Sequence, residues 1–383
     1  MFSRIANWLE THWVVPAYSG GVLAAFAICF LGSAINTMAG WLYVISGISF
    51  ALLGIAATLP MRSLKGIRVN RRPIQPVSAG DQITLELELE NHGSQPKTLL
   101  QFQDMIPFVL GQPVQGVIES IPAGETYRWV YSLPTERRGV YRWHTVQLRT
   151  ATPLGLFWCR RQRDALATAI VYPTVLPLNI CPLVDAMGQE ESPQFYSRDR
   201  RSQAANENVT RSLRPYRWGD PIRLVHWRTS ARYGELRVRE LEVFTGGQDI
   251  IICLDTASHW QPEDFEQAVI AAASLYFYAC RCQLNARLWT AGSGLLHGNL
   301  VVLETLASIN PTEETGANAP PNQPLILLTQ NPVAINSLPN GSRWVLWPSS
   351  SSIDRKNAPS GESPGIVIQP EKPLQFQLEA YLS

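Results

Sequence analysis

At 383 residues the chain is longer than one hydrophobic core usually organises, so at least two folding units are expected. Its 45% hydrophobic and 16% charged residues, with 12 each of Trp, Tyr and Phe, exclude a disordered or low-complexity protein. With 32 Lys and Arg against 31 Asp and Glu, the net charge is +1; neither a bulk nucleic-acid binder nor an acidic cation store is indicated, and any charge-driven function must be local.

Between His12 and Arg62 there is no charged residue, a stretch suited to two membrane spans of ~20 residues each. The pattern predicts helices near 14–34 and 40–59, joined at Asn36–Gly40, as a transmembrane hairpin within residues 1–65. Arg62, Lys65, Arg68, Arg71 and Arg72 follow at once, and the positive-inside rule then makes this a two-pass plasma (inner) membrane protein with the bulk of the chain cytoplasmic. Trp8, Trp13 and Trp41 fall where interfacial anchors belong. Gly40, Gly47, Ala51 and Gly54 give the second span a small-residue seam for packing within the hairpin. A cleaved leader is disfavoured, because Glu10 interrupts it and the apolar run is far longer than a leader's core.

Residues 66–173 change to period two. Ile83, Leu85, Leu87 and Leu89 alternate with polar residues, Asn91-His92-Gly93 closes that strand, and later alternations run through Tyr127, Trp129, Tyr131 and through Tyr141, Trp143. Short strands at this spacing predict an immunoglobulin-like β-sandwich, with no cysteine pair bridging it. The segment offers no nucleophile beside a base and no metal cluster, so a spacer or recognition module is expected; His92 and His144 are read as a turn and a strand residue. Residues 174–210, polar from Asp185 onward, read as a linker.

The most distinctive passage is an arginine-rich box beginning at Arg211. Asp220 reads as an N-cap and Pro221 as the first helical residue of a short helix running to about Ala231, with Gly234 as its stop. Arg223, Trp227 and Ser230 or Ala231 would then share a face. Two readings of the box stay open: guanidinium groups bridging Asp220, Glu235, Glu240 and Glu242 and lying on Trp218, Trp227 and Tyr216, or a recognition surface for an anionic group or an acidic partner. An acid and base pair from Asp220 and His226 is conceivable, but six residues apart on a short helix they point in different directions and no nucleophile presents itself.

The set Arg214, Tyr216, Gly219, Asp220, Arg223, His226, Trp227, Ser230, Ala231 and Arg232 closely resembles the signature of the domain-of-unknown-function 58 family. Two further elements agree, Arg137-Arg138-Gly139 and Pro153, Gly155, Leu156, Phe157, although family members usually carry Asp where this chain has Thr152. The resemblance implies a membrane-anchored bacterial protein, often accompanied by MoxR-type AAA+ ATPases and von Willebrand factor A proteins, with no established biochemical activity.

Beyond the box, residues within 211–383 alternate between strand and helix patterns. Strands are expected at Asp249–Leu254, Leu284–Trp289, Leu325–Thr329, Trp344–Trp347 and Ile366–Ile368, and helices at Pro262–Cys282 and Leu300–Ile309. Phe265, Val269, Ala272, Tyr276 and Ala279 make an apolar stripe on the first of these helices. A doubly wound α/β domain follows, with any ligand beyond the strand ends near Asp255 and Thr329, and the resemblance implies that it is von Willebrand factor A-like. Integrin-type A domains hold Mg²⁺ there through Asp-x-Ser-x-Ser. Here Ala257 and His259 replace both serines and Gln330-Asn331 follow Thr329, so Asp255 marks a degenerate metal site and is expected to cap its loop. The sequence thus predicts a membrane-anchored cytoplasmic scaffold or adaptor without cofactor, metal or nucleic acid, contacting protein partners through the box and the α/β domain. The resemblance suggests a MoxR-type AAA+ ATPase as that partner. The alternative is a hydrolase-like or anion-binding activity at Asp220, His226 and the arginines.

Overall fold

A computed structural model describes residues 8–189, 210–217, 222, 225–241, 249–311, 320–348 and 363–380. The chain divides into two compact units: Met1–Pro76, Asp81–Glu136 and Tyr141–Ala169 form the first, and Val77–Gly80, Arg137–Val140 and Ile170–Ser383 the second.

In the first unit a two-residue strand, β1 (Val15–Pro16), leads into helices α1 (Tyr18–Thr37) and α2 (Gly40–Ser63). Both helices are long and apolar enough to cross a membrane. Met38, in the left-handed conformation at φ 50°, closes α1 and lets the chain reverse. The seam between the helices differs from the expected one. Gly40, Gly47 and Gly54 face open space, whereas Leu42, Ser46, Leu53 and Ala56 are the buried residues of α2. One residue along a helix is a rotation of about 100°, enough to turn the glycines off the contact. On α1 the small residues Ala27 and Ala34 are buried, Ser46 Oγ donates to the Ala27 carbonyl at 3.0 Å, and Gly20 on the same stripe packs against the Leu156 backbone.

The strands that follow are β2 (Ile67–Arg71), β3 (Val77–Ser78), β4 (Gln82–Asn91), β5 (Lys97–Asp104), β6 (Val114–Ile121), β7 (Thr126–Pro134), β8 (Gly139–Thr150) and β9 (Phe157–Tyr172). In the first unit they make a sheet ordered β2-β4-β7 and another ordered β1-β9-β8-β5-β6. The alternation in β4 buries Ile83, Leu85, Leu87 and Leu89 completely, and Leu87 and Leu89 join Leu100, Phe102, Ile118, Val146 and Leu148 from the other sheet in one apolar cluster. Phe102 lies across β6 at Gly116, where a Cβ would fall 2.2 Å from its ring.

A buried ionic knot sits in the same unit. Arg71, counted by sequence among the cations that follow the second span, has a side chain only 1% exposed and grips the Asp104 carboxylate with both terminal nitrogens, at 2.7 and 2.9 Å. Tyr131 donates to the same carboxylate at 2.5 Å and Trp143 Nε1 at 3.1 Å. Burial, reinforced by the carboxylate, pushes the Tyr131 phenol well above its ordinary pKa.

In the second unit, β3 pairs with the last residues of β9, and the region expected to be linker begins with ordered structure instead. Helix α3 (Pro182–Gln189) puts Leu183, Val184 and Met187 into the main core, because one face of this short helix is apolar although its sequence reads as polar. Next come β10 (Thr210–Pro215), α4 (Trp227–Tyr233), β11 (Arg237–Leu241), β12 (Asp249–Leu254), α5 (Pro262–Arg281), β13 (Asn285–Thr290), β14 (Gly294–Leu296) and α6 (Asn299–Ser308). The last elements are β15 (Leu325–Thr329), α7 (Pro332–Ile335), β16 (Arg343–Leu346), β17 (Gly365–Val367) and α8 (Leu374–Leu378).

One sheet of eight strands, ordered β11-β10-β14-β13-β12-β15-β16-β17, organises this unit; β13, β12, β15, β16 and β17 run parallel. Alternate residues of β12 go to opposite faces. Ile250, Ile252 and Leu254 pack with α5, whose stripe Phe265, Val269, Ala272, Tyr276 and Ala279 is fully buried. Ile251 and Cys253 pack with Trp289, Trp344 and Ile335 of α7 on the other face. Such continuously apolar strands are what a sheet covered on both faces requires.

Candidate functional site

The box is built on β10, α4 and β11. Val225 bridges to Val238, the His226 amide donates to the Arg237 carbonyl at 2.8 Å and the Tyr216 amide to the Leu236 carbonyl at 2.8 Å, so the segment before α4 is stitched to β11. The helix start expected at Asp220-Pro221 lies outside the described residues; the helix that is described, α4, starts at Trp227. Its N-cap is His226, whose Nδ1 accepts from the Thr229 amide at 3.2 Å and lies 2.7 Å from the Thr229 hydroxyl. A ring nitrogen thus caps this helix, and the amide contact makes Nδ1 an acceptor. Gly234 ends the helix at φ 75°, as its position predicts. Gly219, Asp220 and Arg223 lie outside the described residues, as do Trp218 and Pro221.

Of the face expected to hold Arg223, Trp227 and Ser230 or Ala231, the Ala231 alternative is the one the described residues show. Trp227 is 63% exposed, and Ala231, one turn on, is exposed with it, whereas Ser230 is buried and its Oγ accepts from the Arg237 amide at 2.8 Å. His226 is 4% exposed. His226 and Ser230 are therefore turned inward and occupied by the backbone and by Thr229. Among the described residues, Ile222, Trp227 and Leu236 are large apolar side chains of the box that face outward.

The arginines divide in the same way. Arg232 donates to the Ser308 hydroxyl at 2.7 Å, and Arg237 pairs with Glu304 at 3.0 Å and with Glu235 at 3.0 Å while lying 3.9 Å over the Tyr233 ring. These contacts fasten α4 and β11 to α6. Burial raises the Glu304 carboxyl above its ordinary pKa although Arg237 opposes the shift, and burial lifts the Tyr233 phenol too. Arg214 is half-buried with Nη1 3.3 Å from the Pro215 carbonyl, Tyr216 is half-buried, and Arg217 is exposed.

Arg138, from the Arg-Arg-Gly element, also serves α6. Its Nε donates to the Leu306 carbonyl at 2.7 Å and Nη2 to the Ile309 carbonyl at 3.0 Å, its other terminal nitrogen meets Glu266, and its guanidinium lies over Phe265. Sequence reading singled the motif out without finding this role. Carbonyls of a helix's last turn lack intrahelical donors, and a buried guanidinium fork supplies two.

At the carboxyl ends of β12 and β15, Asp255 accepts from the Ser258 hydroxyl at 2.5 Å, the Thr329 hydroxyl at 2.8 Å and the Ser258 amide at 3.3 Å. It caps its loop, and the serine that reaches it is Ser258, outside both positions of the integrin pattern. Gln330 turns away and donates to Asp264 at 2.8 Å. Among the described residues no group of three or more His, Cys, Asp or Glu could hold a metal.

No family model matches the chain. The Bacillus subtilis (strain 168) protein named "Uncharacterized protein YeaD" is 23% identical over 297 residues, 75% of this chain and 70% of that protein. The CARDB domain of the PF1109 protein from Pyrococcus furiosus matches at TM-score 0.19 and 11% identity, covering 27% of this chain and 93% of that one. The alkylpurine DNA glycosylase AlkC of Pseudomonas fluorescens matches at TM-score 0.17 and 14% identity, covering 36% and 42%. Listeria innocua β-glucosidase matches at TM-score 0.14 and 12% identity, covering 26% and 16%. Scores of this size assign neither fold nor activity.

Proposed function

We propose that this chain is a two-pass bacterial inner-membrane protein of the domain-of-unknown-function 58 kind, whose cytoplasmic units are an immunoglobulin-like β-sandwich and a von Willebrand factor A-like domain. It works as a scaffold or adaptor, and the box is its docking surface for a protein partner, an AAA+ ATPase of the MoxR type. One observation carries this reading: Trp227, Ile222 and Leu236 point outward while His226 and Ser230 are spent on internal hydrogen bonds. An exposed tryptophan beside arginines is the composition of an interface anchor, and a histidine committed as a helix cap is poorly placed to serve as a general base.

The test is a photo-crosslinking amino acid at Trp227, with one at exposed Gln115 as the control, in intact cells. Adducts with an AAA+ ATPase from position 227 alone are expected. Turnover of a phosphate or acyl ester by the purified full chain, abolished by His226→Ala with folding intact, would replace this reading with the hydrolase one.

A further inference from the structure

A groove of about 360 Å³ opens on the outer face of the first unit's larger sheet, remote in sequence from the box. Its walls are the outward side chains of adjacent strands: Gln103 stands opposite Gln115 and Gln147, while Gln101 stands opposite Arg149. Arg160 of β9 completes it. A sheet face open to water ordinarily carries charges of both signs and threonines; four carboxamides converging on two guanidinium groups is a different surface. Carboxamides donate and accept at once, which matches hydroxyl groups, and guanidinium forks match phosphate oxygens.

The arginines are set in place from behind. Glu10, 5% exposed, takes Arg149 Nε on one oxygen at 2.5 Å and Arg160 Nη2 on the other at 3.1 Å. Arg149 also lies 4.1 Å over the Trp158 ring. Two cations against one anion leave one positive charge, and among the described residues both Arg149 terminal nitrogens, with Arg160 Nε and Nη1, keep donors that meet no acceptor. Trp158 pairs with Val15, three residues before the first residue of α1, so at ~3.3 Å per residue this end of the groove stands about 10 Å from the start of the first membrane helix.

We infer that the groove binds a phosphorylated polyol, the phosphate on Arg149 and Arg160 and the hydroxyls on Gln101, Gln103, Gln115 and Gln147. Two sources share this chemistry: a glycerol phosphate in solution and the headgroup of phosphatidylglycerol in the adjoining leaflet. The second source rests on the membrane reading above; the first does not.

The full chain is incorporated into phosphatidylcholine nanodiscs, with incorporation scored separately so that failure of the anchor and failure of the groove are distinguishable. Soluble sn-glycerol 1-phosphate is titrated calorimetrically, and in a second arm phosphatidylglycerol retained from mixed nanodiscs is counted by native mass spectrometry. Gln147→Glu places a carboxylate in the groove without touching the Glu10 pairs, and Gln115→Glu does so from an exposed position should the first variant misfold. Saturable binding of glycerol phosphate, weakened roughly tenfold by either variant, assigns the soluble source. Enrichment of phosphatidylglycerol over phosphatidylcholine, lost in the variants, assigns the lipid. No binding in either arm, or binding that both folded variants retain, overturns the inference.

Discussion

Arg138→Ala removes a guanidinium that is 6% exposed and leaves the Leu306 and Ile309 carbonyls at the end of α6 without their donors. Each hydrogen bond from a charged donor contributes about 1.5 kcal/mol or more. The Glu266 partner is half exposed and adds little, and the contact with Phe265 adds up to about 1 kcal/mol. The loss is therefore about 3 kcal/mol, a hundredfold rise in the open population at roughly 1.4 kcal/mol per tenfold. Because the chain has two units, a single unfolding midpoint is a poor readout; hydrogen exchange at the β12 amides reports opening of the second unit's own core. Protection at Ile250–Leu254 should fall about a hundredfold, and Arg138→Lys should recover only part of it, since an ammonium cannot fork between two carbonyls. Protection within threefold of wild type in Arg138→Ala would refute the capping role.

In the first unit, Asp104→Asn leaves Arg71 buried without its counter-ion and should destabilise that unit by about 3–5 kcal/mol, read from exchange at β4 and β5; a change under 1 kcal/mol would contradict the knot. Glu304 gives a pH prediction. Its folded carboxyl is raised, so the ionised form costs stability above that pKa, and the cost vanishes as pH falls below the unfolded value of ~4.3. Acidification through the carboxylate range should thus help the wild-type second unit more than Glu304→Gln, and parallel pH profiles would refute this. Burial raises the thiols of Cys159 and Cys253 and pushes Cys181 up to about 12, so at pH 8 maleimide should label exposed Cys282 first and spare these three.

How much was legible follows from what each signal measures. Period-two alternation reports one buried face, and in β4 it identified the four fully buried residues correctly; the stripe of α5 was legible because five apolar positions repeat along one helical face. Short-range capping chemistry was legible at the C-terminal end of α4, where Gly234 stops the helix as expected, but not at its N-terminal end, because an imidazole that accepts from a backbone amide, as His226 does, is not a residue type that reads as a cap. Partners distant in sequence left no local trace. Glu10 read as an interruption of an apolar leader and is the buried bridge between Arg149 and Arg160, Arg71 read as one of the cations that follow the second span, and α3 read as linker because eight residues are too few to display a helical period.

The central claim, an anchored chain whose box faces the cytoplasm, is tested most directly by accessibility in living cells. In a chain carrying Cys29→Ser and Cys280→Ser, Cys282 remains exposed in the same unit as the box. A membrane-impermeant maleimide should leave it unlabelled in intact cells and label it after permeabilisation; labelling before permeabilisation would contradict the account.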